Sequence, residues 1–223
     1  MVRMLENLTV ALPFVIFLVC KQQFYPVIIL IVLNIIMALS NFKTTHSFTI
    51  PTPFYKKPFE FTVGFRNTFF LFPIAYGLTV IAVTVGNFNL GIFSLLLIFL
   101  TVLSYYVKYE NEYFVWSYSL SPAKFLMEKI SIAFSFSFYL CIPIVILLSV
   151  IFFEYIGILL FSTLLGYLYL VTIILAKYTA YPDEMNFAQA ILLVICIFFP
   201  PMLIAVIPYF ANKSVSKLKV YLK

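Results

Sequence analysis

Charge is what this sequence has least of. Only 10% of its 223 residues are Asp, Glu, Lys or Arg, where a soluble domain carries about 25%. That shortage excludes a water-soluble globule. With 64% hydrophobic residues and a mean hydropathy of +1.10, a chain of this length cannot hide its apolar surface inside itself. Cysteine is also sparse. Cys20, Cys141 and Cys196 lie far apart, in or at the end of apolar stretches. They form no metal-ligand spacing, so they are read as small buried hydrophobes.

Chemistry-bearing motifs are missing as well. The single histidine, His46, sits in a polar loop beside Thr44, Thr45 and Ser47, with no nucleophile motif around it to use a general base. No phosphate-cradling GxxxxGK[ST] loop, HExxH zinc helix or GxSxG elbow occurs. Asp183-Glu184 is the only acidic pair near an apolar edge, and two adjacent side chains supply too few oxygens for Ca²⁺ or Mg²⁺. The chain is therefore expected to carry no catalytic residue, cofactor or metal of its own. Its excess of basic residues, 14 against 8 acidic, lies between apolar runs rather than clustered on a soluble surface. It is expected to mark membrane topology, not nucleic-acid binding.

What is present is a series of apolar runs, at 8–20, 25–42, 67–87, 88–107, 130–153, 155–176 and 187–212. A helical crossing needs about 20 residues, and the last five runs reach that length. The fold class expected is all-α, a polytopic transmembrane bundle of about six to seven membrane helices in one membrane domain, 1–223. Arg3 before the 8–20 run resembles a signal peptide, but no small-residue cleavage site follows, so a retained segment is expected. Runs 8–20 and 25–42 are short and tightly joined; they read as an N-terminal hairpin, or alternatively as a shallow re-entrant pair.

The runs as delimited hold no Asp, Glu, Lys, Arg or His, which disfavours a proton-coupled pump, because such sites need intramembrane ionisable groups. Their polar residues, such as Thr79, Ser94, Thr101, Ser137, Thr172 and Gln189, are uncharged and are expected to hydrogen-bond between helices. Tyr105, Tyr106, Tyr109, Tyr178, Tyr181 and Tyr209 read as interfacial belt residues.

Lysines and arginine concentrate in 43–66, 108–129 and the tail after Asn212, while the connections at Gly86–Asn89 and Glu154 carry no positive charge. Those three segments are expected on the cytoplasmic side, in a bacterial inner membrane. Three full crossings between 108–129 and the tail would put the tail outside. One run must then not span simply. The 187–212 run, with Pro200 and Pro201 at its midpoint and Pro208 beyond, is expected to be broken or re-entrant.

Two cytoplasmic segments attract functional readings. The first, 58–66, mixes aromatics and cations: Phe59, Phe61 and Phe65 are expected to dip into the acyl boundary while Lys56, Lys57 and Arg66 meet phosphates. A plain juxtamembrane loop is the alternative. The second, 108–129, holds the only tryptophan and three acids, Glu110, Glu112 and Glu128. Glu110–Ser117 reads as a short helix, and Ser121-Pro122 as the cap and first position of a helix running into the 130–153 span.

The residues Glu110, Glu112, Trp116, Ser121, Pro122, Phe125, Leu126 and Lys129 resemble the coupling helix and following membrane helix of ABC-2-type exporter permeases. The 58–66 segment resembles that family's connecting helix. The resemblance covers about two-thirds of the chain, and the 8–42 hairpin departs from the family's six-helix subunit. It implies a dimer, with itself or a related membrane subunit, seated on separate ATPase subunits that receive Glu110, Glu112, Tyr113, Trp116, Ser121, Pro122, Lys124 and Phe125. A lipid or amphiphile is the expected substrate class. A non-transporting membrane scaffold is the competing reading.

Overall fold

A computed structural model describes residues 59–222 except Tyr109 and Glu184, together with Thr52, Phe54 and the short stretch Cys20, Lys21, Gln22 and Tyr25. The chain divides into two units, 1–49 and 50–223. In the first, Cys20 and Tyr25 are helical, Lys21 and Gln22 form a turn, and Gln22 has φ 56°. The rest of the expected N-terminal hairpin, with Lys56 and Lys57 of the following loop, lies outside the described residues.

Every regular element described in the second unit is helical. In order they are α1 (Phe59–Thr68), α2 (Leu71–Val85), α3 (Phe88–Tyr105), α4 (Glu112–Trp116), α5 (Pro122–Ile151), a 3₁₀ turn at Phe153–Tyr155, α6 (Ile156–Ala180), α7 (Phe187–Phe198), a 3₁₀ turn at Pro200–Met202 and α8 (Leu203–Leu218). Helices α3, α5 and the Phe153–Ala180 stretch are long and apolar enough to cross a membrane. Helices α1 and α2 together make a fourth candidate, bent by 63°. These helices mark an integral membrane protein. The described residues thus hold three to four candidate spans, against the six to seven expected; two of the apolar runs fall outside the described region.

Local sequence explains where the helices start and stop. Gly86 takes the left-handed conformation (φ 68°) that closes α2, its N–H reaching the carbonyls of Ala82 and Val83; glycine pays no Cβ penalty there. Asn87 then caps α3 by accepting from Leu90 N–H at 3.2 Å. At the same end of the bundle Phe88 stacks on Tyr155 (4.9 Å) and meets Phe152 edge-on, tying the α2–α3 turn to the α5–α6 turn. Ser121 has the extended backbone of a cap before Pro122, but its side chain makes no capping bond. Asn186 and Gln189 form a reciprocal capping box that starts α7.

The interior is packed by large side chains laid on glycines. Phe99 of α3 occupies the space where a Gly166 side chain would stand, and Leu148 of α5 does the same at Gly91. Thr79 and Ser94 hydrogen-bond across α2 and α3 at 2.7 Å, and Tyr76 donates to the Leu140 carbonyl of α5 at 2.9 Å. The expectation of helix-to-helix bonds holds for few of the uncharged polar residues. Thr101, Ser137, Thr163 and Thr172 instead bond to carbonyls of their own helices, which satisfies the hydroxyl without any partner helix. Cys141 and Cys196 are buried, whereas Cys20 is exposed.

The last run is broken at its prolines. Phe199, at φ −131° and ψ 79°, leaves the helical region, and Pro200 and Pro201 lie in the 3₁₀ turn. Contacts fix the course of the two halves. Gln189 near the start of α7 bonds to Thr179 (2.6 Å), while Cys196 near its end accepts from Tyr169 (2.8 Å). So α7 runs antiparallel to α6. Beyond α8, Tyr221 packs edge-on against Tyr181 at 5.1 Å, which returns the chain to the end from which α7 left. The pair α7–α8 is a helical hairpin whose two ends lie at one end of the bundle. At about 1.5 Å per residue, α7 reaches only about 18 Å deep.

Candidate functional site

At the end where α7 and α8 begin and finish, four charged side chains converge in the interior. Glu60 comes from the first turn of α1, Glu110 from the loop after α3, Lys129 from α5 and Lys177 from the last turn of α6. Lys129 Nζ donates to Glu60 at 2.9 Å and to Glu110 at 2.5 Å. Lys177 pairs directly with Glu60 and stands 3.6 Å from Glu110. The lysines are 3% and 2% exposed, the glutamates 7% and 11%.

Aromatic rings enclose the cluster. The Lys129 ammonium lies 5.3 Å from the Tyr118 ring and 5.6 Å from Phe125, and Lys177 lies 5.3 Å from Tyr178, distances at which a ring face attracts a cation. Tyr178 donates to Glu110 at 3.3 Å, and Phe125 packs edge-on against both Tyr118 and Tyr178. Burial pushes the Glu110 carboxyl up, but its hydrogen bond with Glu60 and the Lys129 and Lys177 ammoniums outweigh that and hold it at about 2. Burial, then the charges of Glu60 and Glu110, raise the Tyr106 hydroxyl well above its ordinary range; that hydroxyl is buried with no hydrogen-bond partner among the described residues.

With both glutamates ionised the cluster is formally neutral and each charge has two opposite neighbours. Burial and the hydrogen bond with Glu110 push the Glu60 carboxyl up to about 7, so Glu60 is the one that holds the pair's proton below that pH. Buried pairs of this kind add little net stability over a well-packed apolar equivalent, but losing one member leaves a costly lone charge. Its geometric consequence is clear: one cluster locks α1, the α3–α4 loop, α5 and α6 together.

The functional residues read from the sequence fall on two sides of this cluster. Tyr113 (68% exposed) and Trp116 (67%) project outward from α4, joined by the exposed Glu112, Ser121 and Lys124. Glu110 and Phe125 do not. Glu110 turns inward to the lysines, and Phe125 is fully buried beneath Tyr118, so both support α4 rather than line its outer surface. Pro122 is half-buried at the start of α5.

The 58–66 segment divides similarly. Phe59 and Arg66 are exposed, but Phe61 is fully buried against Phe54, Tyr105 and Phe136. Phe65 is half-buried against Phe54 and Phe72. Phe61 therefore corrects the expectation of a lipid-dipping ring: α1 rests its aromatic face on the bundle. Tyr105, Tyr106, Tyr178 and Tyr181 are likewise interior rather than belt residues, Tyr209, at 54% exposure, faces outward, and Tyr109 lies outside the described residues.

Glu60 and Lys177 were not singled out by sequence reasoning. The available signal was Lys177 itself. The apolar pattern resumes after it with Tyr178-Thr179-Ala180, placing the lysine inside a helix, where a charge must find a partner. No cluster of His, Cys, Asp and Glu suited to a metal occurs among the described residues. No protein-family model, curated protein or solved structure matches the chain.

Proposed function

We propose that this chain is the membrane-spanning permease subunit of an ABC-type transporter, in which a separate ATPase subunit hydrolyses ATP and α4 receives the motion. The observation that carries this reading is the two-sided construction of α4. Its outer face offers Tyr113 and Trp116, aromatics of the kind enriched at protein interfaces. The segment leading into it is fastened through Glu110 to Lys129 of α5 and Lys177 of α6. A push on α4 is thereby delivered to two spanning helices through buried, short contacts. The substrate class proposed is a lipid or amphiphile, and the assembly a dimer of membrane subunits in a bacterial inner membrane.

Orientation follows from charge. Arg66, Lys108, Lys124 and Lys219 all belong to the end of the bundle that carries α4, whereas the opposite end carries Asn87 and Glu154. By the positive-inside rule the α4 end faces the cytoplasm.

Affinity purification of the full chain from its native membrane tests the reading. A Walker-motif ATPase should co-purify, and Trp116→Ala with Tyr113→Ala should release it while the membrane protein stays folded. Glu110 is unsuitable for this purpose, because its replacement disturbs the interior. Recovery of partners without any nucleotide-binding subunit would favour the second reading, an anchoring scaffold. That reading draws on the own-helix bonding of Thr101, Ser137, Thr163 and Thr172, which leaves few intramembrane polar groups to line a path.

A further inference from the structure

Beside the ion cluster a cavity of about 500 Å³ opens between α1, the loop after α3, and α4. Ligand sites span roughly 300–1,000 Å³ and combine apolar walls with a few convergent polar groups. This cavity has that make-up. Phe59 and Val63 of α1, Tyr105 of α3 and Phe114 of α4 supply apolar wall. Gly64 keeps the α1 side low, since the Tyr105 ring lies on it where any side chain would stand. Phe59 and Phe114 stack at 5.8 Å and 12°, so α1 and α4 meet at the cavity's edge.

The polar groups are biased toward donors. Lys108 is exposed and lines the cavity with no ion pair among the described residues. Asn111 uses its carbonyl oxygen to accept from Tyr113 N–H at 3.2 Å, which leaves its amide N–H groups to donate. Asn67 is also exposed on the lining. The carboxylates that reach the cavity, Glu60 and Glu110, are already matched by Lys129 and Lys177. Lys108 and Lys129 line the cavity with the two glutamates, and Lys177 pairs with those glutamates from outside the lining, so three ammoniums stand against two carboxylates and the excess cation is the one at the surface.

We propose that this cavity binds an anionic amphiphile, its phosphate or carboxylate head at Lys108 and Asn111 and its apolar tail along Phe59, Val63 and Phe114. A charged oxygen accepts strong bonds from an ammonium and an amide, and an alkyl tail gains from each methylene it buries. The ligand touches both α1, which the ion cluster holds through Glu60, and α4, which follows the cluster's Glu110 in the chain. The site stands independently of any ATPase partner, because binding is a property of this chain alone.

The test uses the purified full chain in a neutral maltoside detergent, titrated with dodecyl phosphate, dodecanoate, dodecyltrimethylammonium or inorganic phosphate and followed by native mass spectrometry. Saturable binding of both anionic amphiphiles is expected, at least tenfold tighter than the cationic one, with inorganic phosphate alone not retained. Lys108→Gln should weaken dodecyl phosphate binding about tenfold or more, Lys108→Arg should keep it, and Val63→Trp should remove it by filling the cavity. Lys108 is on the surface, so its variants report on binding even if the tryptophan variant misfolds. Equal binding of the cationic amphiphile, or dodecyl phosphate affinity unchanged by Lys108→Gln, overturns the assignment.

Discussion

Lys177 and Glu60 form a buried ion pair although 117 positions separate them in the chain. The pair joins the end of the last long spanning helix to the beginning of α1, and both partners are shared with Lys129 and Glu110. Removing the lysine alone leaves two buried carboxylates facing one ammonium. Lys177→Met should therefore cost about 3–5 kcal/mol, the usual penalty for orphaning a buried charge. The double variant Glu60→Gln with Lys177→Met removes one charge of each sign and should recover part of that loss. Denaturation in detergent micelles measures both; strictly additive losses would show that the two side chains do not act as one unit.

Glu110 makes the fold acid-sensitive in a defined window. Its carboxyl is held at about 2, below the ordinary 4.5. The folded state thus binds this proton more weakly than the unfolded state does. The resulting stabilisation is present above about pH 4.5 and is lost as pH falls toward 2. The difference in melting temperature between wild type and Glu110→Gln should be fully developed above about pH 5 and shrink steadily below 4.5. A difference that stays constant down to pH 2.5 would assign the effect of the substitution to packing alone.

The parts of this structure that could be read from sequence are those set by neighbours along the chain. Gly86-Asn87, Asn111, Ser121-Pro122 and the Pro200-Pro201 break all act within a turn of their own position, through caps or a missing backbone donor. The ion cluster is different. Its members come from four elements, and the pairing of Glu60 with Lys177 depends on how α1 and α6 approach. Tyr105, Tyr106, Tyr178 and Tyr181 lie near apolar segment ends, as belt tyrosines do. Only the direction each ring takes distinguishes a residue that meets lipid headgroups from one that walls a buried charge. Phe61 and Phe59 make the same point within two positions: one is fully buried and the other 70% exposed.

The α7–α8 hairpin carries a topological prediction. Glu112, Trp116 and Ser119 line one depression together with Val220 and Leu222, so the chain end and α4 share a face of the protein. With Cys20 replaced by serine, cysteines at Ser119 and Lys219 should react with a membrane-impermeant maleimide from the same side of sealed vesicles. A cysteine at Asn87, in the α2–α3 turn, should react only from the other side. Labelling of positions 119 and 219 from opposite sides would mean that 187–218 crosses fully.

Glycine spacing gives the last prediction, because two glycines on spanning segments have opposite surroundings. Gly166 of α6 lies under the Phe99 ring, with no room for a β-carbon, while Gly77 of α2 has no neighbouring atom within 4 Å of where one would stand. Gly166→Ala must displace the Phe99 ring, which already packs edge-on against Tyr167 at 5.1 Å, and overpacking of this kind costs about 1–3 kcal/mol. Gly77→Ala meets nothing and gains helix propensity, up to about 1 kcal/mol. The two alanines should therefore shift the melting temperature in opposite directions. Adding Phe99→Leu to Gly166→Ala should relieve part of the crowding and raise the melting temperature above that of Gly166→Ala alone. If instead it lowers the melting temperature by as much as it does in the wild-type background, the ring is not what the new methyl meets.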